Sequence, residues 1–173
     1  MTDWLRYFWR LLFLKASPDD APASFLALYL SILSYFALSA IFAGLTLPIM
    51  ESMFLAAVHT GLLYFISTLS LWIRKFPQRA RQTLTAVFGS GTFLILFSLL
   101  LSLNFDFSAE SDFHFLFFIG MLFLIWNILV NANIFRHSLS LPYVAGLGIA
   151  LVFVYMFFTI TWRLMKVISI SLL

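Results

Sequence analysis

Residues with the chemistry of an active site are sparse in this sequence. It contains no cysteine, which excludes disulfides, thiol nucleophiles and cysteine-ligated metals. Its three histidines, His59, His114 and His137, fall in different segments without a second ligand at a metal-binding spacing. The motifs of zinc proteases, serine hydrolases and nucleotide-binding enzymes are absent. We therefore predict no cofactor, no metal and no enzyme, although a cavity shared by Glu51, His59 and a serine would reopen intramembrane catalysis.

Four polar side chains inside apolar segments are the candidate functional residues, because polar groups are costly within a membrane. Glu51 and His59 are separated by about 12 Å of helical rise and about 80° of rotation, so they can flank one cavity without bonding directly. The alternative places Glu51 favourably at a helix start and bonds a neutral His59 to a neighbouring helix. Asn127 and Asn131 share one helix face, which favours interhelical hydrogen bonds over the lining of a conduit.

A basic loop is the second candidate region. Residues 74–81 include four cations, Arg74, Lys75, Arg79 and Arg81. Cations beside a membrane attract anionic lipid headgroups by about 1 kcal/mol each. The loop is therefore predicted to determine topology and to contact lipid headgroups, and an acidic protein partner is a further hypothesis.

The composition decides the class of protein that must position these residues. Of 173 residues, 63% are apolar and only 10% are charged, whereas a soluble domain carries about 25% charged residues. So few charges cannot cover a soluble surface, and the apolar residues suffice for roughly five spans of about 20 residues. A soluble domain, a disordered chain and a nucleic-acid-binding domain are excluded, and a polytopic membrane protein remains.

Five apolar segments predict an all-α architecture, organised as a single integral membrane domain over residues 1–173. Each is long enough to cross about 30 Å of hydrocarbon as a helix. The predicted spans cover residues 22–47, 49–73, 83–103, 113–135 and 142–162. Ser17, Asp19 and Asp20 are expected to cap the first span, and Ser140 the last. Small residues at 89–91 and 145–148 predict close packing of helices.

Residues 1–15 differ from these spans because they are short and carry charge on one side. Asp3, Arg6 and Arg10 cluster on a helical wheel, and the opposite side is apolar: Trp4, Leu5, Phe8 and Leu12. Such a segment is predicted to lie in the membrane interface, and the alternative is a helix docked on the spans. The apolar run 11–14 is too short for a cleavable signal, so we expect the N-terminus to be retained.

The distribution of basic residues predicts the orientation. Lysine and arginine concentrate on the cytoplasmic side of short loops. With the N-terminus inside, eight of the ten basic residues face the cytoplasm, and only Arg163 and Lys166 lie outside. The loop 104–112 is acidic and contains no basic residue. We predict a multi-pass protein of the inner membrane with its N-terminus in the cytoplasm and its C-terminus outside.

Two stretches resemble a known family. Gln82 to Gly89 follows the basic loop into a span, and Trp126 to Leu139 precedes a last span rich in alanine and glycine. With five spans, this is similar to the Yip family of small membrane proteins and its bacterial relatives, over residues 23–162. The Asp-Leu-Tyr-Gly-Pro signature of the eukaryotic branch and its long cytoplasmic N-terminal region are absent. The resemblance implies architecture and interaction rather than catalysis, and the role in membrane traffic with lipidated GTPases is not carried over.

These observations predict a non-enzymatic integral membrane protein that acts through helix–helix or lipid interactions, as a scaffold or as a subunit of a membrane assembly. Its expected partners are membrane lipids and another membrane protein or a second copy of itself, and no nucleic acid. The alternative is a small permease or channel-forming subunit with a polar path. That path would pass the four polar side chains within the spans: Glu51, His59, Asn127 and Asn131.

Overall fold

The computed structural model describes residues 2–102 and 110–171, and within them the chain forms six α-helices. The helices are α1 (Thr2–Leu12), α2 (Phe25–Ala43), α3 (Ile49–Ile73), α4 (Ala80–Ser102), α5 (Glu110–Ser138) and α6 (Tyr143–Ser171). Two short 3₁₀ turns precede α2 and α4, at Pro18–Asp20 and Pro77–Arg79. Helices α2 to α6 are each long and apolar enough to cross a membrane. The predicted all-α class, with five spanning helices and a short N-terminal helix, is confirmed; the acidic loop 104–112 lies largely outside the described residues.

The first spanning helix begins later than predicted, because the expected capping residues serve a separate turn. The Ser17 hydroxyl accepts from the Asp19 amide at 3.3 Å, and the Ser17 amide donates to the Asp20 carboxylate at 3.2 Å. These bonds close the 3₁₀ turn at Pro18–Asp20. Ser24 caps α2 instead, since its hydroxyl accepts from the Ala27 amide at 3.1 Å.

The cationic loop and three of the connections between helices lie at one end of the bundle. The start of α2 meets the start of α4 there, where the Arg81 guanidinium lies 4.4 Å from the centre of the Phe25 ring. The end of α5 reaches the same level, since the hydroxyls of Thr83 and Ser138 lie 2.9 Å apart. We call this the basic end of the bundle, and the end with the α2–α3 turn the far end.

Helices α4 and α5 form the centre of the bundle near its basic end. Nine consecutive residues of α4, Thr83–Gly91, and six of α5, Val130–Phe135, are buried. A buried run longer than the 3.6 residues of one turn means that neighbours enclose the helix on all sides. Helix α4 packs against α1, α2, α3 and α5, and α5 packs most extensively against α6. Helices α2 and α6 remain largely open to the outside.

Two glycines allow the close helix packing that the small residues predicted. A Cβ at Gly91 would lie 2.7 Å from the Tyr35 ring of α2, and a Cβ at Gly146 would lie 2.5 Å from the Ala132 carbonyl oxygen of α5. Both approaches are closer than a side chain tolerates. A Cβ at Gly148 would meet no atom within 4 Å. Gly146 therefore accounts for the α5–α6 contact, and Gly148 faces outward.

Candidate functional site

Helix α1 has three faces, and two of them are apolar. Phe8, Leu11 and Leu12 are buried against the bundle. Next to them around the helix, a row of exposed apolar side chains forms what we call the apolar ridge: Leu5, Trp9 and Phe13. The exposed Arg6 and Arg10 form the third face, which we call the basic ridge. The helix is thus docked on the spans by one face, as in the docked-helix alternative, and presents a second apolar face outward.

Two contacts fix α1 on the central helices. The Phe8 ring fills the space where a side chain at Gly89 of α4 would lie. The indole Nε1 of Trp126 in α5 donates to the Leu12 carbonyl oxygen at 2.8 Å. This carbonyl belongs to the last residue of α1 and accepts no hydrogen bond within the helix. The docking depends on a glycine and a tryptophan that lie far from α1 in sequence.

The segment after α1 is tied back to the basic end by two further bonds. The Tyr7 hydroxyl donates to the Ser17 carbonyl at 3.2 Å, and the Gln82 side chain donates to the Asp19 carbonyl at 2.9 Å. Burial, and then the carboxylates of Asp20 and Asp19, raise the pKa of the Tyr7 phenol above its ordinary value. The phenol therefore stays protonated and remains a donor to Ser17.

These contacts place α1 beside the bundle rather than beyond its end. The Phe8 ring packs on Phe93 as well as Gly89, with 5.6 Å between the two ring centres. Gly89 and Phe93 lie about 14 and 20 Å along α4 from its first residue, at 1.5 Å per residue. Gln82, which holds the returning chain, is near that first residue. Residues 2–20 therefore enter alongside α4 and return to the basic end.

Arg79 of the basic loop holds the end of α5. Its Nη1 donates to three acceptors, the His137 carbonyl (3.2 Å), the Ser138 carbonyl (3.3 Å) and the Ser140 hydroxyl (3.2 Å). Arg74 donates to the next carbonyl, that of Leu139, at 3.5 Å. The last carbonyls of a helix lack helical partners and carry partial negative charge, which a cation stabilises.

The other two loop cations have different surroundings. Arg81 lies over the Phe25 ring, and Lys75 is exposed with a positive φ of 61°. Of the four predicted lipid or partner contacts, Arg74, Arg79 and Arg81 thus also join helices of the same chain. Arg74, Lys75 and Arg81 are also exposed on the surface of the bundle.

Three helices end at left-handed residues that are not glycine. Leu14, Lys75 and Ser140 have φ values of 60°, 61° and 51°. The residue after each returns a bond to a carbonyl five positions earlier; the Leu141 amide, for example, donates to the Arg136 carbonyl at 2.9 Å. This is the Schellman geometry, in which glycine is usual. Ser140, predicted to begin the last span, therefore ends α5.

The two asparagines of α5 bond to each other within the helix. The Asn131 Nδ2 donates to the Asn127 backbone carbonyl at 3.0 Å and to the Asn127 side-chain oxygen at 2.8 Å. Their shared face is as predicted, but these bonds do not reach another helix. Asn131 Oδ1, Asn133 Nδ2 and Ser67 Oγ are buried without a hydrogen-bond partner among the described residues. Ser67 of α3 and Asn133 of α5 carried no sequence signal, because their burial depends on the neighbouring helices.

His59 and Glu51 lie apart from those asparagines. The His59 Nε2 is 2.9 Å from the Thr161 hydroxyl of α6, and its ring stacks on Phe157 with 3.8 Å between centres. Glu51 lies in the first turn of α3, where negative charge is favourable. His59 thus contacts a neighbouring helix. This is the arrangement expected under the alternative in which Glu51 and His59 do not flank one cavity.

Two apolar grooves of about 390 Å³ each lie on the described surface. One lies between α2 and α3, beside Tyr29, Leu33 and Ala57. The other lies between α3 and the start of α4, beside Phe65, Trp72 and Pro77. Their linings suit acyl chains or apolar side chains rather than polar solutes. In the described part of the chain, histidine and carboxylate side chains do not gather in a group of three that would hold a metal.

Comparisons of the chain with protein-family models, with curated proteins and with solved structures gave no match. Of the two stretches that carry the Yip-type resemblance, 82–89 lies almost wholly within the enclosed part of α4, and 126–139 contains the enclosed part of α5. Their small and apolar residues have a direct role in packing the centre of the bundle.

Proposed function

We propose that this polytopic membrane protein is non-enzymatic and acts through its helix faces and the surrounding lipid, as a scaffold or as a subunit of a membrane assembly. The observation that supports this proposal is that polar groups bond to other helices of the same chain, whereas apolar side chains face outward. Bonds such as Thr83–Ser138, His59–Thr161 and Trp126–Leu12 join helices of the same chain. The outward faces of α2 and α6 remain apolar and open, and they are available to lipid and to another membrane protein.

Helix α6 offers the clearest face for a second protein or a second copy of the chain. Val144, Tyr155 and Trp162 are more than two-thirds exposed on it, and Gly148 adds a shallow site where a neighbouring helix can approach. Small residues at a membrane-exposed position permit such approaches. We assign the assembly contact to this face of α6.

Purification in mild detergent tests the assembly. The expected result is a homo-oligomer or a complex with a distinct partner, with a mass above that of one chain and its detergent. Gly148→Phe should lower that mass, because the added ring would occupy the contact. Gly61→Phe is the matched control, since a Cβ added at Gly61 also meets no atom within 4 Å. Recovery of the wild-type chain as a lone monomer from native membranes would overturn the assembly proposal.

We further propose that the basic end faces the cytoplasm of a cell with an inner membrane, with the N-terminus inside and the C-terminus outside. Support comes from the eight basic residues on this side against Arg163 and Lys166 on the other. Basic residues are retained on the cytoplasmic side during insertion. A C-terminal reporter active only outside the cytoplasm should give signal, and a fusion active only inside should be silent; the reverse pattern would contradict the orientation.

Membership of the Yip-type family remains a proposal, supported by the five spans and by the residues of the stretches 82–89 and 126–139. The resemblance implies that the protein works by interaction. The same purification tests this implication, because an interacting protein of this type should be recovered with itself or with another membrane protein.

A second candidate function is a small permease or channel-forming subunit. The observation that favours it is the set of buried, unpartnered atoms Ser67 Oγ and Asn131 Oδ1. Leu71 and Phe135 pack in one cluster, and Ser67 and Asn131 each lie one turn further from the basic end. The two polar atoms are therefore at one level of the bundle, where water or a polar solute would satisfy them.

Flux measurements separate the two functions. If the chain transports a solute or ion, proteoliposomes should show flux above that of empty vesicles, and Asn131→Leu or His59→Ala should change it. Ser98→Ala on α4 is a control, because its hydroxyl bonds only to its own helix at Leu94. The scaffold proposal expects no flux above background.

A further inference from the structure

We propose that α1 binds an anionic phospholipid, with the lipid phosphate at the basic ridge, Arg6 and Arg10, and the acyl chains along the apolar ridge, Leu5, Trp9 and Phe13. The inference rests on the proposed orientation and deepens the proposed interaction with lipid by naming the lipid class and the residues.

The two ridges lie next to each other on one helix. Arg6 and Arg10 are one turn apart, about 6 Å between their Cβ atoms, on the same face. At about 100° per residue, Phe13 lies within about 60° of both arginines, and Trp9 and Leu5 follow on the side away from them. Both ridges are exposed. A phosphodiester with two attached acyl chains has the same arrangement, an anion next to an apolar surface.

The position of α1 along α4 makes an anion beside Arg6 and Arg10 energetically favourable. Phe8 is fixed beside Gly89 and Phe93, about 14 to 20 Å along α4 from its first residue. The basic ridge therefore lies beside the spanning part of α4 and not beyond its end. Cations at this depth are costly unless the side chains reach the interface or an anion comes to them. A guanidinium pairs with phosphate through two parallel bonds, which makes a lipid phosphate the fitting counterion.

The charge around α1 favours an anionic lipid over a zwitterionic one. The exposed Lys15 adds a cation next to the basic ridge, and Lys75 and Arg136 are exposed at the basic end. Three acids lie in the same segment. Asp3 is beside the basic ridge on the helical wheel, and Asp19 and Asp20 lie in the 3₁₀ turn, where Asp20 accepts a bond from the Ser17 amide. Arg10 donates to the Lys15 carbonyl at 3.3 Å, and its other guanidinium donors can meet a phosphate. The eight basic residues of this side outnumber Asp3, Asp19 and Asp20, and the resulting positive charge attracts a negatively charged headgroup.

Native mass spectrometry of the full chain, released from detergent with added lipid, tests the site. Phosphatidylglycerol should bind more tightly than phosphatidylcholine of the same chain length. The double variant Arg6→Gln/Arg10→Gln should weaken phosphatidylglycerol binding about thirtyfold. Arg136→Gln is the matched control at the same end of the bundle and should leave the affinity within about twofold of wild type. Equal weakening by Arg136→Gln would show diffuse attraction to the whole basic end and would overturn the proposal.

Two further arms distinguish the ligand. Trp9→Ser should weaken binding of the long-chain lipid, because the acyl chains lose an aromatic contact. Inorganic phosphate at millimolar concentration should neither displace the lipid nor raise the unfolding temperature as phosphatidylglycerol does. Equal binding of the two lipids, or equal stabilisation by phosphate, would overturn the lipid site. The assembly mass is measured separately, so a failed lipid site and a failed assembly give different results.

Discussion

The indole nitrogen of Trp126 donates a hydrogen bond to the carbonyl oxygen of Leu12 across 2.8 Å. The bond joins the middle of α5 to the last residue of α1, which are far apart in sequence. The Phe13 ring packs on the same indole, with 5.8 Å between ring centres. The N-terminal helix is thereby part of the bundle, and its loss would expose the central helices beside it.

Trp126→Phe should lower the free energy of unfolding by about 1–3 kcal/mol, because the variant leaves the Leu12 carbonyl without its donor. Thermal or denaturant unfolding in one detergent measures the change. Trp72→Phe is the control, since Trp72 is 73% exposed and its loss should have little effect. An equal effect of the two variants would contradict the importance of the bond.

Gly89→Val should displace α1, because the new side chain would meet the Phe8 ring. Overpacking of this kind costs about 1–3 kcal/mol. Since the chain has no native cysteine, a Leu12→Cys substitution provides a single thiol, and its maleimide labelling should accelerate in the Gly89→Val background. Gly148→Val adds the same side chain where no atom lies within 4 Å, and the labelling rate should then stay unchanged.

Arg79→Lys should loosen the end of α5 while keeping the positive charge that influences topology. A lysine cannot reproduce the planar set of donors that reaches His137, Ser138 and Ser140, and we expect a loss of about 1–2 kcal/mol. Hydrogen exchange of the backbone amides at 139–141 should become faster. Arg136→Lys, at an exposed position, serves as the control, and the prediction is refuted if both variants exchange alike.

Lys75→Gly should stabilise the end of α3, because glycine adopts the left-handed conformation found at this position without steric cost. The expected gain is about 1 kcal/mol relative to Lys75→Ala, which removes the same charge but keeps the Cβ. The difference in unfolding free energy between these two variants isolates the backbone effect. A glycine variant no more stable than the alanine variant would show that the positive φ of 61° carries no strain.

The sequence was sufficient for the existence of the helices but not for all of their ends. Long apolar segments can satisfy their backbone in a membrane only as helices, which is why five spans followed from composition. The start of α2 depended on whether Ser17 or Ser24 capped it, and both are suitable residues. Tertiary bonds around the turn at Pro18–Asp20 decided that choice, since Gln82 of α4 holds the Asp19 carbonyl.

The candidate site was predictable in its residue types and not in its connections. Glu51 and His59 were recognisable as polar residues in a span, and the basic loop as a cluster of charge. The partners Thr161 of His59 and His137 of Arg79 lie 102 and 58 residues away in sequence, and no local pattern indicates such pairings. Ser67 and Asn133 gave no signal in the sequence, because a single serine or asparagine is common in spans of every kind.

The sequence by itself determined that this chain is a helical membrane protein, how many spans it has and where its charge lies. Tertiary structure alone decided which helices are central. The apolar windows of α2 and α4 have nearly equal mean hydropathy, yet 17% of the residues are buried in the first and 56% in the second. The physical reason is that lipid and protein core are both apolar, so a helix face suited to one is equally suited to the other. Contacts with neighbouring helices, such as those of Gly89, Gly91 and Thr83, place α4 at the centre.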